Sequence, residues 1–301
     1  MLLSIRRPIH PHRFFHIIGV LLALLLAPLL SGCNAVKLGY NNAPNLSYWW
    51  LDSYLDFDDT QSLKVRADLA ALQSWHRQNE LPVYIDTLKK MQRMAPANVR
   101  PEQVCELSSM LKAHAQTLVD QAESTVVALA PTFKTEQLSH LGRQFDKRNQ
   151  KWRAEWLEGS PTERSARRIR QLTDRLEMLY GRLEEPQLAV LRASGAVSAF
   201  DASVGYRETL RRQQDALQTL RQLQTGTATE LQVKAEVRAL LVRSMKSPEP
   251  AYRNYQEQMT WESCRAFAAL HNSTTPAQRR QVLETLKDYE TDARTLMATP
   301  P

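Results

Sequence analysis

From Pro44 onward, apolar residues return at spacings of three and four, and no alternating Val/Ile/Thr run with glycine turns interrupts them. That period lays apolar side chains along one stripe of an α-helix. A chain patterned this way buries its stripes against other helices, so the predicted fold is an all-α, multi-helix bundle. From Asp58, residues Val65, Leu69, Leu72 and His76 share a stripe. Pro82 lacks an N–H and clashes with the preceding turn, so a kink or an end is expected there. A further helix then runs through Tyr84, Ile85 and Leu88 to Met94. Val104, Leu107, Leu111, Leu118, Val126 and Leu129 mark a long helix stopped by Pro131. Leu138, Leu141, Phe145, Trp152 and Trp156 mark the next, over 134–158. Ser160-Pro161-Thr162-Glu163 restarts the chain with a cap, a proline at the first helical position and an acid that bonds back. Tyr180-Gly181 closes that helix. A helical stretch over 186–224, breakable at Gly195 or Gly205, precedes three shorter helices over 229–244, 250–271 and 276–297. The expectation is about eight to ten helices. Residues 1–32 read as a leader, 33–43 as a tether and 44–301 as a single helical domain.

One helix start recurs five times. Phe57, Val99, Phe133 and Leu183 stand four residues before Gln61, Gln103, Gln137 and Gln187, and Thr274 stands likewise before Gln278. Four residues past each Gln lies Val65, Leu107, Leu141, Leu191 or Val282. A Gln at the third helical position reaches back to an orphan N–H, while the flanking apolar residues staple the turn to a core. The plain reading is a good helix start used repeatedly. Phe133-Lys134-Thr135-Glu136-Gln137 is also similar to the Leu-Thr-x-x-Gln motif of Spy/CpxP-type periplasmic chaperones, with Lys134 in place of the capping Thr. Those are small helical proteins that cradle unfolded clients, so the resemblance implies an architecture more than an activity.

The N-terminus addresses location. Arg6, Arg7 and Arg13 precede an apolar run of 14 residues from Ile17 to Leu30. That run is too short to span a ~30 Å hydrocarbon core comfortably. Leu30-Ser31-Gly32-Cys33 at its end resembles the bacterial lipobox; an ordinary signal or an anchor helix is the alternative. The lipobox resemblance implies cleavage before Cys33 and a diacylglycerol thioether on its thiol, three acyl chains in all. Asn34 is not the Asp that retains related lipoproteins in the inner membrane. The expected location is therefore the outer membrane of a Gram-negative bacterium, lipid-anchored and facing the periplasm. Residues 34–43, with Gly39, Asn41 and Asn42, read as a flexible spacer. Removing residues 1–32 and their three Arg leaves 269 residues and lowers the formal charge from +7 to +4. That excess suits acidic surroundings such as lipid headgroups and requires no nucleic acid.

With Cys33 assigned to lipid, Cys105 and Cys264 remain. In an oxidising compartment an isolated pair forms a disulfide; two buried thiols are the alternative. There is no Cys-x-x-Cys and no Cys/His cluster at zinc spacing, so no metal and no redox centre is expected. No phosphate loop or nucleophile elbow occurs either, so no cofactor and no catalytic residue is assigned. His76 and Glu80, with Arg77 and Tyr84 nearby, form a candidate polar site. It reads as a network orienting the chain at Pro82, ahead of a metal half-site or an acid–base pair. His114 falls on the Leu107/Leu111/Leu118 stripe as a partly buried histidine. Residues 143–175 hold ten Lys/Arg against five acids. Among them Arg143, Lys147, Lys151, Arg164, Arg167, Arg168 and Arg170 are candidates for an anionic partner, with a solvated helix face as the plainer account. Tyr48, Trp49, Trp50 and Tyr54 read as the packed entry to the domain core, ahead of rings at a bilayer interface.

A wider resemblance spans most of the chain. The lipobox, Trp75-His76-Arg77 followed by Leu81-Pro82-Val83-Tyr84, and Tyr180-Gly181-Arg182-Leu183 leading to Gln187 resemble a proteobacterial lipoprotein family, a domain of unknown function. Glu184 and Glu185 replace its usual small polar cap. The resemblance implies a helical fold in the cell envelope and brings no catalytic residues. The expected role is binding, scaffolding or chaperone-like assistance of an envelope protein or anionic polymer. An envelope hydrolase acting on cell wall or lipid is the rival. Membrane fractionation of wild type and Cys33→Ala tests the anchoring: the variant is expected to be unlipidated, and an unchanged mature protein contradicts the assignment.

Overall fold

The computed structural model describes residues 32–298, with side chains from residue 36 onward. The leader and the thiol of Cys33 lie outside the described residues, apart from the backbone of Gly32 and Cys33. The chain divides into two units, Met1–Ala43 and Pro44–Pro301. In the first, Gly32–Asn41 (α1) is helical where a flexible spacer is expected from sequence. Ala35, Lys37 and Leu38 favour helix, and a single interior Gly39 costs only about 1 kcal/mol.

Ten further helices follow: Ala43–Leu55 (α2), Asp59–Met94 (α3), Pro101–Leu129 (α4), Thr135–Trp156 (α5), Pro161–Tyr180 (α6), Glu185–Ala196 (α7), Ala202–Leu223 (α8), Glu230–Met245 (α9), Pro250–Asn272 (α10) and Pro276–Ala298 (α11). A 3-10 turn at Ala130–Thr132 follows α4. The described residues contain no strand, so the bundle is all-α, with eleven helices where eight to ten are expected. Proline opens α4, α6, α10 and α11, where its missing N–H is one the first turn leaves unpaired anyway.

Pro82 neither ends nor restarts a helix. It lies inside the 36-residue α3, which is about 54 Å long at 1.5 Å per residue. An interior proline costs about 3 kcal/mol or more, and burial on both sides of it opposes that cost. Leu81 and Ile85 are buried, and α3 packs on α4 and α11. The chain between α7 and α8 breaks after Ala196, beside Gly195, while Gly205 lies within α8.

Most of the buried apolar residues form two clusters, and α3 runs from one to the other. The first holds Tyr48, Val65, Leu129, Phe133, Leu138, Leu141, Leu220, Leu223 and Val237, drawn from α2–α5, α8 and α9. The second holds Ala95, Tyr180, Leu183, Leu191, Leu270, Val282 and Leu286, from the end of α3 with α6, α7, α10 and α11. The aromatic stretch of α2 splits. Tyr48 is buried, and Leu51, Tyr54 and Leu55 pack on the first cluster, whereas Trp49 and Trp50 are 62% and 61% exposed.

At each cluster two of the recurring helix starts meet through a pair of buried glutamines. Gln61 Oε1 accepts from the Asp58 N–H at 3.1 Å, and Gln137 Oε1 accepts from the Lys134 N–H at 2.9 Å. Their amide nitrogens then cross over. Gln137 Nε2 donates to Gln61 Oε1 at 2.7 Å and to Asp56 O at 2.7 Å, while Gln61 Nε2 donates to Thr132 Oγ1 at 2.9 Å. Asp56 holds a left-handed backbone with φ of 50°, and Gln137 ties down its carbonyl. The rings of Phe57 and Phe133 stack at 6.4 Å beside the pair.

At the second cluster Gln187 caps Glu184 N and Gln278 caps Thr275 N, both at 2.9 Å. Gln278 Nε2 reaches Gln187 Oε1 at 3.3 Å and Arg182 O at 2.9 Å; Gln187 Nε2 donates to Ser273 O at 2.6 Å. The fifth start differs. Gln103 caps Arg100, and the neighbouring Val99 instead exchanges two bonds with the side chain of Asn272, at 2.9 and 3.0 Å.

A Cys105–Cys264 disulfide links α4 to α10, with the two Cα atoms 5.5 Å apart. It closes a 159-residue separation, for which the chain-entropy account gives roughly 5 kcal/mol at its upper end.

Candidate functional site

Above the second cluster lies a half-enclosed cavity of about 700 Å3. Its floor is Leu191 and Leu270, both buried in the core. Helix α6 forms one wall. Residues 164, 165, 168, 169, 172, 175 and 176 all line it, a stripe at helical spacing in which Ile169, Leu172 and Leu176 alternate with Arg164, Arg168 and Arg175. Trp156 and Leu157 from the end of α5, Ser194 and Gly195 from α7, and Met259, Ala266 and Phe267 from α10 complete the enclosure.

The segment 197–201 between α7 and α8 forms the rim and is held from both sides. Ser198 Oγ donates to Glu262 at 2.8 Å, and Arg168 Nη2 donates to Ser198 Oγ at 3.1 Å. The Ala199 N–H reaches Glu262 at 3.1 Å, and the Asp201 N–H reaches the Tyr255 hydroxyl at 3.0 Å. The Arg168 guanidinium lies 4.3 Å from the centre of the Phe200 ring, a cation–π distance. Burial lowers the pKa of Arg168, opposed by Tyr255 and the charge of Glu262. Glu262 is held below the usual carboxylate value: its bonds from Ser198, Gln258 and Ala199 and the charge of Arg168 outweigh its desolvation.

The basic residues singled out from sequence separate in space. Arg143, Lys147 and Lys151 lie one turn apart on an exposed face of α5. Arg167 reaches back to Ala154 O at 3.5 Å, and Arg170 is exposed. Arg164 and Arg168 alone of the seven enter the cavity wall, joined there by Arg175. Arg164 donates to Gly159 O at 2.7 Å, closing the end of α5. Phe200, Ser198 and Glu262 gave no sequence signal; they come together from segments more than 60 residues apart.

The polar site on α3 gains a partner from α4. Glu80 is buried and its Oε2 lies 3.0 Å from His114 Nδ1. The Tyr84 ring stands between two imidazoles, 5.4 Å from His76 and 5.0 Å from His114. Arg77 is buried beside them. Burial pushes the His76 pKa down, opposed by Glu80, and pushes the Tyr84 hydroxyl up, aided by Glu80. Among the described residues no group of three His, Cys, Asp or Glu is placed to hold a metal ion. The cluster joins α3 to α4 between the two apolar clusters.

His271, at the end of α10, is a second buried imidazole. Its Nε2 lies 2.9 Å from Ala97 O and its Nδ1 2.8 Å from the Tyr180 hydroxyl. A carbonyl can only accept, so Nε2 carries the proton and Nδ1 accepts from Tyr180. Burial holds His271 below its ordinary value of 6.5. The unfolded chain therefore takes up a proton more readily than the folded one at His76 and His271. Their contribution to stability is complete above 6.5 and is lost as pH falls toward the folded values. The urea midpoint is expected to fall between pH 7.5 and 5.5, and His271→Gln should flatten that fall. An unchanged slope in the variant contradicts the assignment to His271.

The chain belongs to DUF6279, a family of unknown function, whose family model matches residues 53–253. That span includes α3 to α9 and ends just inside α10, so it contains the basic wall of the cavity but not Glu262, Phe267 or His271. No curated protein and no solved structure matches the chain.

Proposed function

We propose that this protein is an outer-membrane lipoprotein, anchored through Cys33 and facing the periplasm, that binds an envelope component in the cavity between α6, α7 and α10. The cavity itself carries the reading. A preformed, mostly apolar hollow with a few placed polar groups is the form that binding sites take, commonly of about 300–1,000 Å3. Leaving such apolar surface open to water has no stabilising effect on the fold, so a bound partner accounts for it. The charged leader and the lipobox support the location. The likeness of the Phe133 start to Spy/CpxP-type chaperones supports a helical envelope protein that handles other molecules. Among the described residues no helix is long and apolar enough to cross a membrane. The hydrolase reading has less behind it. Two serines of the lining contact a carboxylate: Ser198 is fixed between Glu262 and Arg168, Ser203 donates to Asp201, and among the described residues no histidine lines the cavity.

Native mass spectrometry of the lipoprotein purified from membranes tests this. Wild type should carry an added mass that organic solvent releases. Ser194→Trp, which fills the cavity, should lose it while keeping the helical circular dichroism spectrum. A wild-type protein without added mass, or a variant that retains it, contradicts the proposal.

A further inference from the structure

We propose that the cavity takes a single-chain amphiphile with an anionic head, its hydrocarbon chain lying among Ile169, Leu172, Leu191 and Phe267 and its head meeting Arg175 and Arg168 on α6. This deepens the binding reading above and rests on it. Apolar and cationic residues share one helical stripe, so a ligand lying along α6 meets both hydrocarbon and positive charge within two turns, about 11 Å. A neutral hydrocarbon would leave the guanidinium groups facing apolar matter, at a cost in desolvation.

Several charges of the lining are already engaged. The two carboxylates of the lining are occupied within the fold: Glu262 by Ser198, the Ala199 N–H and Gln258, and Asp201 by the Ser203 N–H at 2.8 Å. Arg164 is held by Nη1, which donates to two carbonyls at the end of α5 and fixes the guanidinium there. Arg168 spends one N–H on Ser198 and keeps others, since a guanidinium has five. Arg175 is exposed, without a carboxylate partner among the described residues. The charged groups of the wall with hydrogen-bonding capacity to spare are therefore cationic donors, which suit a carboxylate or a phosphate oxygen.

An extended peptide suits this lining less well. A peptide brings one donor and one acceptor per residue into the site, and each needs a partner once water is excluded. The carboxylates of the lining are engaged within the fold, which leaves serine hydroxyls, Ser165, Ser194 and Ser263 among them, as its side-chain acceptors. A hydrocarbon chain needs none.

Calorimetric titration of the full-length lipoprotein with three probes below their micelle concentrations tests the proposal. Hexadecanoate offers a carboxylate, lysophosphatidylglycerol a phosphodiester, and monopalmitoylglycerol the same chain with a neutral head. At least one anionic probe should bind one per chain, at least about tenfold more tightly than the neutral one. Whichever anion binds more tightly identifies the head as carboxylate or phosphate. Arg175→Gln should cost about tenfold in that affinity and leave the neutral probe unchanged, and Arg175→Lys should restore most of it. Arg175 is exposed, so these variants leave the core intact.

Equal binding of all three probes overturns the head assignment and leaves cavity binding standing. Binding of none of them, with an added mass still present on the purified protein, overturns the amphiphile and not the binding reading. Displacement of hexadecanoate by a stoichiometric amount of an unfolded apolar peptide overturns it in favour of a polypeptide client.

Discussion

Four buried glutamines set the geometry of this bundle. The start of any helix leaves backbone N–H groups without partners, and burying such an end costs about 1–3 kcal/mol for each group left unsatisfied. Here two helix starts are driven into the same apolar cluster, twice over. Gln61 with Gln137, and Gln187 with Gln278, meet the need in the same way: each amide oxygen caps its own first turn, and each amide nitrogen secures the opposite start or its loop. The bonds between Gln137 and Asp56, and between Gln278 and Arg182, reach across the joint. The angles at which α3 meets α5, and α7 meets α11, are thus specified by hydrogen bonds of fixed reach as well as by apolar packing.

The rest of the molecule follows from those two joints. Helix α3 spans the distance between the clusters and carries the Glu80–His114 contact midway, where it is braced against α4. The turn after α3 is fixed to the end of α10 by His271 and Asn272, and the disulfide holds α10 to α4. With α10 positioned from that side and α6 ending in the Gln187–Gln278 joint, the two helices flank a space that α7 floors and segment 197–201 rims. The cavity is thus a product of rigid supports. Its walls are held by bonds that do not depend on a ligand, which favours binding without reorganisation.

Much of this was legible in the chain because the signals are local. The Phe133-to-Gln137 and Leu183-to-Gln187 spacings mark helix starts, and Ser160-Pro161 and Gly181 mark the ends of α6, each through chemistry within four residues. The Cys105–Cys264 pair was legible by elimination. What was not legible is what depends on two distant segments. That the repeated glutamines face one another in pairs has no local signature. Nor does the meeting of Glu80 with His114, 34 residues on, which turned a half-site into a satisfied interhelical contact. That α3 does not end at Pro82 was hidden for the same reason: the local penalty is real, and burial of Leu81 and Ile85 opposes it. The basic run over 143–175 was visible as charge, but only the turn after α5 divides it into an exposed face and a cavity wall.

The dependence on paired glutamines is open to direct measurement by a double-mutant cycle at Gln187 and Gln278, read as urea unfolding free energy. Each single Gln→Leu change strands buried partners, and each is expected to destabilise by about 1–3 kcal/mol. If the two amides act as one joint, the double variant should cost less than the sum of the singles, with a coupling of about 0.5–3 kcal/mol. Additive losses, or single variants as stable as wild type, would contradict the claim that these pairs hold the bundle together.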